Sequence, residues 1–437
     1  MSETEPAVES GTDGDVAAGT EVAIAGGGLA GLVAARRLAD AGVDVTLFER
    51  RDEVGGRVRS RTVDGYTLDR GFQVLFTGYP AVREELDLAA LDLRAFSPGA
   101  TIARPDHRST LADPFRDPGS LLESAFNTDV SFADKLRILR LRRALVDEDP
   151  DTLFDGPNET IREYLERWGF SERFIENFAA PFYGGITLDR SLSTDAGVFR
   201  YTFAMLSRGK TAVPADGMGA IPEQLAASAR EAGATIETDV PVTDIDSRDD
   251  EVTLELDGET VTAEAAVVAT DPKTARDLTG VEDVPTEARS CVTQYFAMDE
   301  RTLDTGRKLV LNAANDQPNT IAPLSAVAPE YAPDDRTLLG ATTLGSPDAS
   351  DEELATRTRD ALATWYPEHR FDAVDLVATD RIEFAQFAQP RGFRDGLPAV
   401  DVPDGPVFLA GDHTSWSSIQ GAMESGQVAA RAVRDEL

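Results

Sequence analysis

The chain has one cysteine, Cys291, in 437 residues. No intrachain disulfide can form, and no set of thiolates can hold zinc or an iron–sulfur centre. Histidine is nearly as scarce. His107, His369 and His413 lie far apart in the sequence, so no metal site is expected. Lysine is almost missing: Lys135, Lys210, Lys273 and Lys308 are the only four, within a Lys+Arg total of 42. Cationic charge is therefore carried by arginine, and it is outnumbered. Seventy-eight acidic residues bring the formal net charge to −36, which repels a phosphate backbone and argues against nucleic acid as a partner. No run of about 18 apolar residues exists, so no membrane-spanning helix is expected. The N-terminus is acidic rather than basic and then apolar, so no secretory signal is expected and the expected location is cytoplasmic.

An acid-rich, lysine-poor chain suits a salt-loaded cytoplasm, and a halophilic source is expected. At low salt such a surface repels itself; at 1 M salt the Debye length falls to about 3 Å and the repulsion is screened. The melting temperature is expected to be markedly lower in millimolar than in molar salt. Equal melting in the two would refute this reading.

What is present begins with 41% hydrophobic residues, enough for a substantial core, in a chain long enough for two or three folding units. Residues 1–19 are acidic, polar and glycine-containing and are expected to be a disordered tail. The chain then organises itself around Glu21–Ser60. Val22–Ala25 is a short apolar run suited to a buried parallel strand. Gly26, Gly28 and Gly31 have the G-x-G-x-x-G spacing of a dinucleotide-binding turn. Gly26 permits the turn, Gly28 lets backbone approach a pyrophosphate, and Gly31 lets the next helix pack close. That helix starts at Leu29-Ala30, where free N–H groups favour phosphate charge. A second strand, Val45–Phe48, ends in Glu49, an acid placed to accept hydrogen bonds from ribose hydroxyls.

Arg50 and the loop Gly55-Gly56-Arg57 follow directly. This stretch resembles the R-x-x-x-x-G-G-R motif of the flavin amine oxidase superfamily, which includes monoamine oxidases, protoporphyrinogen oxidases and carotenoid desaturases. The resemblance implies FAD, with Gly55-Gly56 close to the pyrophosphate and Arg57 supplying charge. The segment Tyr66–Pro80 is similar to the stretch beside the flavin ring in carotenoid desaturases, which would bring Gly71 and Phe72 near the ring. Pro214–Met218 resembles the superfamily's P-x-G-G-M motif, with the second glycine displaced to Gly219. By the same resemblance, Val242 would read the adenine edge through its backbone. Gly411-Asp412 would hold the ribityl and pyrophosphate side, and the backbone at Ile419-Gln420 would face flavin O2. The cysteine that tethers the flavin in some relatives is missing from its motif, so the FAD is expected to be noncovalent.

The resemblance implies an α/β fold: a Rossmann-type FAD-binding domain from 20–85, 214–272 and 390–437, with an α+β substrate domain inserted as 86–213 and 273–389. It also implies hydride transfer from a substrate carbon to flavin N5, with no sequence-evident catalytic side chain. Ser418 stands where amine oxidases carry a cage aromatic. The expected substrate is therefore an apolar isoprenoid or carotenoid-like molecule, taken by a dehydrogenase or desaturase. An amine or protoporphyrinogen oxidase stays open, as does an FAD-binding isomerase or carrier without net redox turnover. Tyr295, Phe296, Phe384 and Phe387 are candidates for the substrate cavity wall. Lys308 is either a flavin-side lysine or a surface residue. The run 135–145 is basic and amphipathic, a candidate for peripheral contact with an anionic membrane. The sequence leaves the oligomeric state open.

Overall fold

The computed structural model describes residues 20–112, 129–248, 251–299, 303, 306–371 and 374–437. The expected N-terminal tail lies outside them. Two seven-stranded sheets form the framework. In the first, Thr20–Ala25 lies between Val45–Phe48 and Thr260–Val268, parallel to both. Thr235–Glu237 extends the sheet on one side, and Val407–Leu409 pairs in parallel with the end of Thr260–Val268. Val22, Ala23, Ile24, Leu47 and the run Ala265–Val268 are fully buried, as strands covered on both faces must be. An antiparallel hairpin, Asp244–Arg248 and Glu251–Glu255, completes it.

The second sheet takes the order Asp375–Phe387, Ala288–Met298, Thr337–Leu344, Thr320–Ala322, Leu309–Asn312, Gly99–Arg104, His107–Ala112. The helical stretch Ile175–Ala179 and Ala180–Thr187 packs against its strands Leu309–Asn312 and Thr320–Ala322. The strands of the first sheet all come from 20–48, 235–268 and 407–409, and those of the second from 99–112 and 288–387. The chain thus passes repeatedly between the two.

Asp69 sits where the two sheets meet. Its carboxylate accepts from Ser60 Oγ at 2.6 Å, from the Met218 N–H at 2.8 Å and from Tyr331 OH at 3.0 Å, and its carbonyl accepts from Tyr295 OH. Burial pushes this carboxyl up to about 6, against the pull of Ser60, Met218 and Tyr331. A carboxyl raised in the folded state stabilises the fold most below its unfolded pKa of ~3.9, and that contribution is lost as pH rises through 6. The loss between about pH 4 and pH 8 is about 3 kcal/mol. Asp69→Asn is expected to flatten this part of the denaturation midpoint against pH. A variant profile parallel to the wild type would show that Asp69 titrates like an exposed aspartate.

Candidate functional site

A cavity of about 1520 Å³ runs between the two sheets. One end is the glycine turn. Gly26 has φ +110, and a Cβ there would stand 2.6 Å from the Ala269 carbonyl oxygen. Gly31 lies under the helix Leu29–Asp40, where a Cβ would stand 2.0 Å from the Gly26 carbonyl oxygen. Both are glycine for packing. Gly28 differs. Its backbone is ordinary extended chain, and nothing lies within 4 Å of where its Cβ would be. That free volume is the cradle itself. Gly55 and Gly56 form the facing wall, tied down by the Gly55 N–H donating to the Gly27 carbonyl at 2.7 Å.

Glu49 is 4% exposed and lines the cavity. Its two oxygens accept from the N–H groups of Gly27 (2.8 Å) and Arg51 (3.1 Å). These bonds hold the carboxylate against the turn and leave each oxygen a second lone pair for a ribose hydroxyl. Arg50, Arg51, Arg57 and Arg70 line the same region. Burial, together with Arg59 and other arginine neighbours, lowers the Arg51 and Arg70 guanidiniums below their usual range. Like charges crowded at one wall of a strongly acidic protein mark an anion site, and a diphosphate supplies the missing charge.

Arg57 Nη2 donates to Asp412 Oδ1 at 2.6 Å, and Ser417 Oγ donates to Asp412 Oδ2 at 2.8 Å. Burial pushes the Asp412 carboxyl up, but Arg57 and Ser417 more than offset it and hold the group below the ordinary carboxylate range. Beside it, burial pushes His413 down to about 4. The ring is therefore neutral, and neither nitrogen has a hydrogen-bond partner. Trp416, in the cavity wall, likewise keeps a buried Nε1–H with no partner.

Of the residues expected at the cofactor, Gly26, Gly28, Leu29, Ala30, Glu49, Arg50, Gly55, Gly56, Arg57, Gly71, Phe72, Val242, Gly411, Asp412 and Ile419 line this one cavity. Gly31 and Gln420 do not. Gly31 is under the helix, and the Gln420 side chain turns away to accept from the Ala81 N–H at 3.0 Å. Two expectations need correction. Only Phe384 of the four candidate wall aromatics faces the cavity. Tyr295 goes to Asp69, while Phe296 and Phe387 are core residues. Lys308 is neither beside the ring nor on the surface. It is 8% exposed and outside the cavity wall. Cys291 does line the cavity, but burial pushes its thiol up to about 11. It is no thiolate at neutral pH, consistent with noncovalent cofactor binding. Among the described residues no cluster of His, Cys, Asp or Glu fits a metal ion.

Beyond the arginines the wall is hydrocarbon. Phe72, Phe96, Leu165, Phe174, Phe182 and Leu206 represent it. Of these only Phe72 was expected near the cofactor; the others come from separate segments of the chain.

A parallel sheet, a glycine turn with open space at Gly28, a buried acid at the end of the second strand and a cluster of arginines on one cavity are the features of a dinucleotide-binding protein. The chain belongs to the flavin containing amine oxidoreductase family, whose model matches residues 29–434. FAD is the cofactor, bound noncovalently. Sequence relatives include the carotenoid 3,4-desaturase of Haloarcula japonica, 25% identical over 58% of this chain and 56% of that protein. The match thus spans little more than half the length of that relative. The 15-cis-phytoene desaturase of an Oncidium hybrid cultivar is 23% identical over 94% of this chain and 77% of that protein. An oxidoreductase structure from Methanosarcina mazei superposes with a TM-score of 0.74 at 18% identity, covering 94% of this chain and 99% of that one.

Proposed function

We propose that the chain is an FAD-dependent dehydrogenase or desaturase of an elongated, apolar isoprenoid or carotenoid-like substrate. The observation that carries this reading is the cavity, continuous from the glycine cradle into a wall of phenylalanine, leucine and isoleucine. Such a wall binds hydrocarbon. The desaturase relatives support the same choice.

FAD, when bound, supplies the acceptor for a hydride from a substrate carbon. The protein's part is placement and exclusion of water. Arg57, fixed by Asp412, would hold the diphosphate, and Glu49 the ribose. The N-terminus of Ile419–Glu436, capped by Ser418 through the Gly421 N–H at 2.8 Å, favours negative charge at that end of the cavity. We infer that the cofactor domain comprises 20–85, 214–272 and 390–437 and the substrate domain 86–213 and 273–389, a division supported by the separate origin of the two sheets.

The cavity rim adds a peripheral membrane contact to this reading. Phe132 and Leu136, on the helix Phe132–Leu145, are 76% and 46% exposed. Phe132 also lines the cavity, with Lys135, Arg142 and Arg173 nearby in the wall. Exposed apolar side chains beside cations suit an anionic bilayer from which an apolar substrate enters. No helix among the described residues is long and apolar enough to cross a membrane.

The test is an anaerobic absorbance titration of the purified protein in molar salt against carotenoids, an isoprenoid lipid extract, amines and protoporphyrinogen. Bleaching of the oxidised-flavin band by a polyene is expected. Bleaching by an amine or by protoporphyrinogen alone would replace this reading with the corresponding oxidase. A yellow protein bleached by dithionite but by no panel member would point to a role without substrate oxidation.

A further inference from the structure

Four phenylalanines recur every fourth residue: Phe170, just before the helical stretch that begins at Glu172, then Phe174, Phe178 and Phe182 within it. All four line the cavity. Their ring centroids are 4.5, 5.4 and 5.3 Å apart in sequence order, with interplanar angles of 22°, 37° and 11°. The series continues through Tyr183 to Phe199 at 5.2 and 4.5 Å.

An ordinary α-helix would not hold these rungs in line. Four residues advance slightly more than one turn, a drift of about 40° per rung. Here the helix changes pitch. A turn at Glu172–Phe174 runs into a π-helical segment, Ile175–Ala179, and then into the helix Ala180–Thr187. A π turn takes more residues per revolution, so the same four residues fall short of a full turn and offset the drift. Pro181, which has no N–H to complete the i→i−4 ladder, sits at this change. The outer face is polar: Arg162 pairs with Glu172 at 3.2 Å and with Glu176. The rings therefore face inward.

The row has a direction. At one end, Ser171 Oγ donates to Asp134 on the rim helix at 2.7 Å. At the other, Gln386 Nε2 donates to the Ile186 carbonyl at 2.7 Å. That contact reaches the strand whose Ile382 side chain approaches Gly71. Phe170 and Phe174 are buried, whereas Phe178 and Phe182 are only half-buried, with ring surface left to the cavity.

We propose that this ladder of rings is the specificity-determining element of the substrate site, selecting a flat conjugated stretch of hydrocarbon over a saturated chain of the same length. The inference rests on the polyene reading above. A merely greasy wall discriminates weakly between hydrocarbons of similar size. A row of four rings in centroid steps of 4.5, 5.4 and 5.3 Å meets a planar π-system in offset and edge-to-face contacts and gains little from a saturated, kinked chain.

The test uses the flavin-loaded protein. Affinity for a conjugated polyene is read from the shift of its absorbance on binding, and affinity for a saturated isoprenoid of equal length from competition. Flavin reduction by the polyene is followed in parallel. F178L/F182L is expected to lower the conjugated-to-saturated affinity ratio on the order of tenfold, while F178Y/F182Y, which keeps the rings, retains it. An unchanged ratio in F178L/F182L overturns the proposal. Should the leucine pair fail to fold, Phe182→Leu alone, at a half-buried position, is read the same way. Polyene binding with the wild-type ratio but no flavin reduction leaves the ladder standing and removes the reaction. If no polyene binds to the wild type, both fall.

Discussion

Gly28→Val is expected to give a folded, colourless protein. Most glycines in this turn cannot be tested this way, because the protein itself occupies their missing side chains. Gly26 and Gly31 would each place a Cβ against backbone, at 2.6 and 2.0 Å, so substituting either damages the fold and any cofactor loss is secondary. Gly28 has φ −75 and empty space beyond it. A valine there meets no protein atom within 4 Å of its Cβ and projects into the volume the diphosphate needs. The melting temperature of the apoprotein should change by only a few degrees, while FAD content after gel filtration falls to background. FAD retained at wild-type stoichiometry would place the diphosphate elsewhere in the cavity.

The second large effect concerns stability. Arg57→Met leaves Asp412 buried with Ser417 as its remaining side-chain partner. Breaking one half of a buried ion pair costs about 3–5 kcal/mol; Arg57 is partly open to the cavity, which favours the lower end. The pH dependence carries the signature. In the wild type the Asp412 carboxyl is depressed, so its contribution is present above the unfolded carboxylate pKa and lost as pH falls through the folded value. In Arg57→Met burial dominates and the shift reverses. The deficit is then largest near neutral pH and shrinks in acid. The double variant R57M/D412N removes the stranded charge and is expected to recover much of the loss. Chemical denaturation of the three proteins at several pH values decides it, and a double variant no more stable than Arg57→Met would show that the pair is not what Arg57 contributes.

The nucleotide half of the site was legible in the sequence because it is written locally. Gly26, Gly28, Gly31 and Glu49 belong to one strand–helix–strand unit, and their spacing follows from the geometry of that unit. Gly411-Asp412 was legible through resemblance, although its partner Arg57 is far away in the chain. The substrate half was not. Phe170 to Phe182 reads as an ordinary apolar helix face, and only the π-helical segment brings its rings into register. Asp69, Tyr295 and Tyr331 come from three separate segments, and nothing local in any of them announces a shared hydrogen-bond network. Lys308 shows the same limit. Lysine is normally exposed, and its burial is set by strands around it. Gln420 stands at the head of the last helix as expected, but nothing near it in the chain announces that its side chain reaches Ala81.

The passage of the chain between the two sheets has a consequence for biosynthesis. The cofactor cradle begins at Gly26, but the strand beside it, Thr260–Val268, takes its other parallel neighbour, Val407–Leu409, from near the C-terminus. Asp412 and the last helix come later still. A nascent chain therefore carries an unfinished parallel sheet until Val407–Leu409 has been made, with the buried strand Thr260–Val268 lacking one neighbour. Long-range parallel pairing of this kind forms slowly and exposes apolar edges while it waits. Cofactor capture therefore waits for Val407–Leu409, Asp412 and the helix Ile419–Glu436, and bound FAD stabilises the sheet once it has closed.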